Sequence, residues 1–168
     1  KRAIILLCGK EIFTIGTLAV IGTKNITENI TQNTTWSTSD SPYIITKEIQ
    51  VFGDVTLTIN PGVEVRFDQD AALIVAGELK AVGSLNNNIK FTSNSLTPSM
   101  ADWKYIQFLD TAITTAYQPD FEYDYANHQI LLTYDSGSIF DYCIIEYAGD
   151  ARDAYHIISY CRSLLHIL

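Results

Sequence analysis

The chain has 168 residues, a formal net charge of −8 and a hydrophobic content of 47%, which indicate one domain with a sizeable core. Its 11 basic residues are scattered among 19 acidic ones. A nucleic-acid-binding surface needs clustered Lys and Arg, so the composition argues against a nucleic-acid partner. An acidic surface suits a soluble secreted protein but selects no particular partner.

Residues 1–22 begin with two basic residues and are otherwise almost wholly apolar, interrupted by Lys10 and Glu11. This pattern resembles an export signal with a cleavage site at Val20-Ile21-Gly22. The interruption counts against a transmembrane helix, which needs about 20 unbroken apolar residues. We expect an export signal or membrane-anchoring segment, helical in form, and any membrane contact only through it. A buried helix or strand pair is the alternative.

Residues 23–35 are expected to form a polar linker. Asn25, Asn29 and Asn33 each begin an Asn-x-Thr sequence, which is an acceptor for N-glycosylation in exported proteins of suitable organisms. A Thr/Asn-rich spacer without sugar explains the same residues, and the sequence leaves both interpretations open.

From Tyr43 onward, short alternating segments rich in Val, Ile, Leu, Phe and Thr are separated by turn residues. This pattern predicts strands, and no helical periodicity of useful length follows Gly22. Four segments share an apolar-any-apolar pattern: Val65–Phe67, Ile89–Phe91, Ile106–Phe108 and Cys143–Ile145. The first two are 24 positions apart, a period that favours solenoid coils over hairpins.

The turn Asn60-Pro61-Gly62 lies between the predicted strands Val55–Ile59 and Val63–Phe67. In a solenoid the chain turns a corner at Gly62 and continues, whereas a hairpin would bring the second strand back beside the first. Gly77 and Gly83 each close a short strand, and we predict corners there that need either φ > 0 or a missing side chain.

The stretches "SPYIITKEIQVFGDVTLTINPGVEVRFDQDAALIVAGELKAVGSLNNNIKFTSN", "WKYIQF" and "GSIFDYCIIEYAG" resemble right-handed parallel β-helix proteins of the pectate-lyase-like superfamily, in particular exported, repeat-containing surface proteins. The resemblance covers about Tyr43 to Gly149. It implies an all-β, right-handed parallel β-helix over residues 36–168. Because family members commonly continue for more coils, we expect only N-terminal coils here, with truncation at the C-terminus.

Four further residues are assigned to packing. Trp36 is expected to cap the N-terminal end of the helix, and Trp103 to fill its core or a corner. Cys143 and Cys161 are expected to stack inward on successive coils. A disulfide between them is the alternative and requires Cα atoms within about 7 Å.

The segment Asp110–Asp135 interrupts the repeat and alternates acidic and aromatic residues. Phe121, Tyr123 and Tyr125 are candidates for stacking on sugar rings. Asp120, Glu122 and Asp124 are candidate oxygen ligands for calcium, the one cofactor considered. The alternative is a solvated hairpin whose aromatic side chains pack on the helix wall.

Two groups carry the residue types of a catalytic site: Asp68 and Asp70 beside Arg66, and Asp150 and Asp153 flanking Arg152. Each group is local to one turn, and we interpret both as surface ion pairs. The resemblance therefore implies a non-catalytic structural or carbohydrate-binding part of an exported cell-surface protein, joined to further coils or domains. The alternative is the N-terminal part of a polysaccharide lyase or glycoside hydrolase whose catalytic coils lie elsewhere.

Overall fold

The computed structural model describes the backbone of residues 4–8, 11–15, 22–112, 116–117, 122–124, 129–131, 134–149 and 158–160, and the side chains of residues 22–112 and 136–149. Within these ranges the secondary structure is all β apart from one 3₁₀ turn, Thr38–Asp40. The strands are β1 Ile4–Cys8, β2 Glu11–Ile15, β3 Lys24–Ile26, β4 Thr34–Trp36, β5 Tyr43–Ile45, β6 Glu48–Val51, β7 Thr56–Ile59, β8 Glu64–Phe67, β9 Ala72–Val75, β10 Glu78–Val82, β11 Ile89–Ser93, β12 Ile106–Phe108, β13 Ala116–Tyr117, β14 Glu122–Asp124, β15 Gln129–Leu131, β16 Tyr134–Ser136, β17 Ile139–Asp141, β18 Cys143–Ile145 and β19 Ile158–Tyr160.

Three parallel sheets form the body of the molecule. Sheet I has the order β18-β11-β8-β5-β3, sheet II the order β19-β12-β9-β6, and sheet III the order β17-β10-β7-β4. The chain visits sheets I, II and III in turn, and one such passage is called a coil below. In the first coil, Ile30 takes the sheet II position through a parallel bridge to Val51. The prediction of an all-β, β-helix-like solenoid is confirmed at this level.

The corner at Asn60-Pro61-Gly62 joins sheet III to sheet I, because β7 belongs to the former and β8 to the latter. Gly62 has φ of 80°, a left-handed conformation that glycine adopts without the steric cost of a Cβ. The predicted corner, rather than a hairpin, is therefore confirmed.

The strand register corrects part of the predicted repeat. Phe91 of β11 pairs with Val65 of β8 and with Ile145 of β18, so these three segments do stack in sheet I. The segment Ile106–Phe108, which shares their pattern, instead pairs with β9 in sheet II, so the shared pattern does not place all four segments at one position of the repeat. The apolar-any-apolar pattern marks an inward-outward-inward strand on any side of the coil, so it does not identify which sheet a strand joins.

Inward residues stack in register to form the core. Trp36, Ile59, Ala81 and Phe140 follow one another up sheet III, and all are buried. Aromatic rings fill the space between the sheets: Trp36 stacks on Tyr43 at 4.7 Å and Phe67 on Trp103 at 4.0 Å between ring centroids. Such stacking adds to the free energy gained by burying the rings.

Side-chain oxygens complete the hydrogen bonding between coils where the backbone turns away. The backbone N–H of Gln50 donates to Asn29 Oδ1 at 3.0 Å, and the backbone N–H of Thr56 donates to Asn33 Oδ1 at 2.9 Å. The Glu64 amide donates to Ser41 Oγ at 2.9 Å. These corner residues take the place of a backbone carbonyl and so prevent an unsatisfied N–H group.

The described part of the N-terminal apolar segment is β, not helix: β1 and β2 pair antiparallel, with Ile4 opposite Ile15. The helical expectation was therefore wrong for these residues, and their pairing matches the strand-pair alternative. No helix in the described part of the chain is long and apolar enough to cross a membrane. Strand pairing also begins within residues 23–35, because β3 pairs with β5 and β4 with β7.

The residues that the sequence analysis assigned to packing differ in how deeply they are buried. Trp36 and Trp103 are buried, and the Trp103 indole Nε1 donates to the Glu146 carbonyl at 2.9 Å. Cys143 is half-buried; its Sγ lies 3.3 Å from the Ala81 carbonyl oxygen, and burial raises the pKa of the thiol to about 12. Cys161 lies outside the described residues, so the expected stacking of the two cysteines stays a prediction.

Candidate functional site

A groove runs across the outer face of sheet I and collects charged residues from three successive coils. Glu64 and Arg66 come from β8, Lys90 and Thr92 from β11, and Glu146 directly follows β18. In the register of the sheet, Lys90 lies opposite Glu64 and Thr92 opposite Arg66. Alternation along the strands turns these side chains outward, whereas Val65 and Phe91 between them point into the core.

Two ion pairs organise the groove. Arg66 Nη2 lies 3.1 Å from Glu64 Oε2 within one strand. Lys90 Nζ lies 2.7 Å from Glu146 Oε1 in the next coil, and Thr92 Oγ1 donates to the same carboxylate oxygen at 2.7 Å. All four charged side chains are partly exposed, so they remain available to a ligand in the groove.

The pairing changes how two of these groups titrate. The hydrogen bond to Glu146, reinforced by the charges of Glu146 and Glu64, raises the pKa of Lys90. The hydrogen bonds from Lys90 and Thr92 lower the pKa of Glu146. Both groups are therefore charged at neutral pH, and neither has the intermediate pKa expected of a general acid or base.

One wall of the groove is the loop after β11. The groove has a volume of about 320 Å³, and Ser95, Leu96, Pro98 and Tyr147 line its rim. Leu96 is fully exposed and Tyr147 is 37% exposed. Since an apolar and an aromatic side chain stand beside hydrogen-bonding groups, the rim can contact both faces of an amphipathic ligand.

Asp102 holds this wall in place. Its carboxylate accepts from Ser93 Oγ at 2.6 Å, from Ser99 Oγ at 2.7 Å and from the Ser99 amide at 3.0 Å. These bonds lower the pKa of Asp102. Asn94 donates to Asp68 Oδ1 at 2.7 Å and ties the start of the same loop to the previous coil.

The chemistry of the groove is that of hydrogen bonding rather than of charge attraction. Its two carboxylates and two cations balance, so it offers no net charge to a polyanion. Carboxylate oxygens accept hydrogen bonds from hydroxyl groups, and Arg and Lys donate to hydroxyl oxygens. Such a surface fits a neutral polyhydroxyl ligand.

The aromatic and acidic residues predicted from the interrupting segment are not tested. Phe121, Tyr125 and Asp120 lie outside the described residues. For Tyr123, Glu122 and Asp124 the backbone alone is described: they form β14, which pairs antiparallel with β15. Their roles in binding sugar or calcium stay predictions. Among the described residues, no group of three or more His, Cys, Asp or Glu is placed to hold a metal ion.

Of the two catalytic groups considered, one can be compared with the structure. Arg66 pairs with Glu64, while Asp68 accepts from Asn94, so the turn does not bring the guanidinium and Asp68 together as an ion pair. Asp150, Arg152 and Asp153 lie outside the described residues.

The sequence analysis did not predict that Lys90 and Glu146 lie together in one groove. Lys90 and Glu146 meet because β11 and β18 pair in sheet I. They are 56 positions apart in sequence because the segment between β12 and β17 is inserted within one coil. A usable signal existed in "VEVRF", "NIKFT" and "CIIEY", whose polar positions alternate with core positions. The alternation alone places these charges on one face. Shifting the alignment of the first two segments by two residues would also have set Lys90 opposite Glu64.

Comparison with known proteins identifies little. No family model matches the chain, and no solved structure matches it. A stretch of 59 residues is 39% identical to protein bark beetle of Drosophila melanogaster, covering 35% of this chain and 2% of that protein. The similarity extends over too small a part of either protein to establish a family.

Proposed function

We propose that this chain is a non-catalytic, carbohydrate-binding solenoid portion of an exported cell-surface protein, and that sheet I carries the binding groove. The observation that supports this proposal is the convergence of Glu64, Arg66, Lys90 and Glu146 from stacked coils beside Tyr147. Function belongs to the site and not to the fold, and in this groove polar groups from stacked coils meet an exposed aromatic side chain.

The finer assignment of the fold forms part of the same proposal. We infer a right-handed winding of the pectate-lyase-like type, because connections between parallel strands are right-handed in nearly all proteins. The quoted motifs support that type. Neither the winding sense nor the superfamily is needed for the groove to bind a ligand.

The ligand we expect is a neutral saccharide. The balanced charges of the groove give no attraction to uronates, and the partly exposed ion pairs provide donors and acceptors to sugar hydroxyls. Tyr147 at the rim provides an aromatic face.

The test is a glycan and polysaccharide array probed with the full chain, with and without calcium. We expect binding to neutral glycans, and the double variant R66Q/K90Q should reduce it at least tenfold. The control is Lys80→Gln, since Lys80 forms a comparable ion pair with Glu78 on sheet III, at 3.3 Å. Equal loss in both variants, or no binding to any glycan, would overturn the proposal.

An enzyme is the second candidate, because acidic and basic residues of three coils do converge on one face. It predicts turnover of a polysaccharide, with release of unsaturated uronates by a lyase or of reducing ends by a hydrolase. The same array ligands serve as substrates for this assay. Turnover abolished by Lys90→Gln or Glu146→Gln would replace the binding proposal, whereas binding without turnover would favour it.

A further inference from the structure

The first coil carries all three Asn-x-Thr sequences. Asn25 is the central residue of β3, and Asn29 and Asn33 lie at the two corners on either side of Ile30. The three Asn residues and the paired residues Thr27, Thr31 and Thr35 are all exposed. These residues therefore form a coil of the solenoid rather than a simple polar spacer, and their acceptor groups remain accessible.

The hydrogen bonding at the corners leaves the reactive atoms available. Asn29 and Asn33 each use Oδ1 to accept a backbone N–H of the next coil, from Gln50 and Thr56. Among the described residues, no hydrogen bond engages either side-chain nitrogen, Nδ2. A substituent on Nδ2 leaves the amide oxygen free to accept, so the corner and the modification are compatible.

From this geometry we propose that Asn25, Asn29 and Asn33 are N-glycosylation sites that place three glycans on one coil. The proposal rests on the proposed export of the chain, since the modifying machinery acts on exported proteins. In the described structure β3 and β4 are the end strands of sheets I and III. Bulky, solubilising sugars at this position disfavour the addition of a foreign strand to those edges.

The chemical step is a glycosyl transfer from a lipid-linked oligosaccharide pyrophosphate. A bond forms between Asn Nδ2 and the anomeric carbon of the sugar, and the bond from that carbon to the pyrophosphate oxygen breaks. The pyrophosphate leaves with its electron pair, and one amide proton passes to a base. The product keeps the amide Oδ1 that the corner uses.

The experiment expresses the full chain behind a cleavable secretion signal in a eukaryotic host, so that it does not depend on residues 1–22 for export. Secreted and cell-retained protein are both treated with peptide N-glycosidase, which converts each modified Asn to Asp, and peptides are mapped by mass. We expect conversion at all three positions. The variants Thr27→Ala, Thr31→Ala and Thr35→Ala should each remove one glycan.

The Thr variants separate modification from structure, because each abolishes an acceptor sequence while the Asn side chain stays. A chain that enters the secretory pathway and shows no conversion at any site would overturn this inference without touching the glycan-binding proposal, which the array tests on unmodified protein. Conversion at Asn25 alone would overturn it for the two corners. Full conversion at the three sites, together with no binding of the unmodified protein to any glycan of the array, would overturn the proposed function alone.

Discussion

At the scale of single residues, the corners of the solenoid depend on absent side chains. Gly77 does not have a positive φ. A Cβ at Gly77 would instead overlap the carbonyl oxygens of Phe52 and Val55, and one at Gly83 would lie 2.5 Å from the Tyr142 carbonyl oxygen. The sequence analysis predicted that these glycines serve either a positive φ or a missing side chain. The structure supports the second reason, because two backbones approach closely at each glycine.

We expect Gly77→Ala to destabilise the fold by about 1–3 kcal/mol or more, as in overpacked cores, because backbone oxygens cannot move aside as a side chain can. The measurement is the free energy of unfolding in denaturant. Gly53→Ala is the matched control, since a Cβ there meets nothing within 4 Å, and it should change stability by less than about 0.5 kcal/mol. Similar values for both variants would contradict the close-approach explanation.

The corner asparagines allow a second prediction at this scale. Asn33→Ala removes the acceptor of the Thr56 amide, and we expect a loss of about 1 kcal/mol. Thr35→Ala changes an exposed neighbour in the same Asn-x-Thr sequence and should have little effect. Both variants are made in a host that does not glycosylate, and denaturant unfolding compares them. A destabilisation by Thr35→Ala as large as that of Asn33→Ala would argue against the side-chain hydrogen bond.

At the scale of elements, the wall of the groove is a loop held by one carboxylate. Asp102 accepts three hydrogen bonds from Ser93 and Ser99, which favour its charged form and lower its pKa from the usual value near 3.8. A group whose pKa is lower in the folded than in the unfolded state stabilises the fold above its unfolded pKa. That contribution is lost as the pH falls through the folded pKa.

Asp102→Asn should therefore be less stable than the wild-type protein at neutral pH, because an amide offers one acceptor oxygen where the carboxylate offers two. The difference should shrink as the pH falls below about 3.8, where the wild-type carboxylate also becomes protonated. Denaturant unfolding across this pH range measures it. Asp110→Asn, at an exposed position, is the control, and a pH-independent difference for Asp102→Asn would contradict the assignment.

Elements were more predictable from the sequence than the site they form. Strands such as β7 and β8 follow from alternation, and the corner between them from Asn60-Pro61-Gly62. The pairing of Lys90 with Glu146 was not predicted, because it depends on the register between two coils, and the interrupting segment between them carries no signal for that register. The β1–β2 pair was expected as a helix, since an apolar run shows no period that separates the two structures.

At the scale of the whole molecule, the solenoid makes stability a sum of interactions between neighbouring coils. The second and third described coils pair with the coils before and after them in all three sheets, and rings such as Phe67 and Trp103 stack across one boundary between coils. In such a molecule, the coupling free energy between two residues should be large when they lie in adjacent coils and small when several coils separate them.

A double-mutant cycle on Phe67→Leu and Trp103→Phe tests this description. The rings stack at 4.0 Å with 8° between their planes, so we expect a coupling free energy of about 0.5–3 kcal/mol. The Trp103 variant also loses the indole hydrogen bond to the Glu146 carbonyl, but the cycle cancels that loss because it occurs in both arms.

The matched control is the pair Trp36→Phe and Phe140→Leu, which also changes two buried aromatic residues. They occupy one ladder of sheet III with β7 and β10 between their strands, so about 14 Å separates them at the usual spacing of strands. Their effects on the free energy of unfolding should add within about 0.5 kcal/mol. Coupling as large in this pair as in Phe67 and Trp103 would mean that the coils do not act as nearest neighbours. Stability would then belong to the core as a whole.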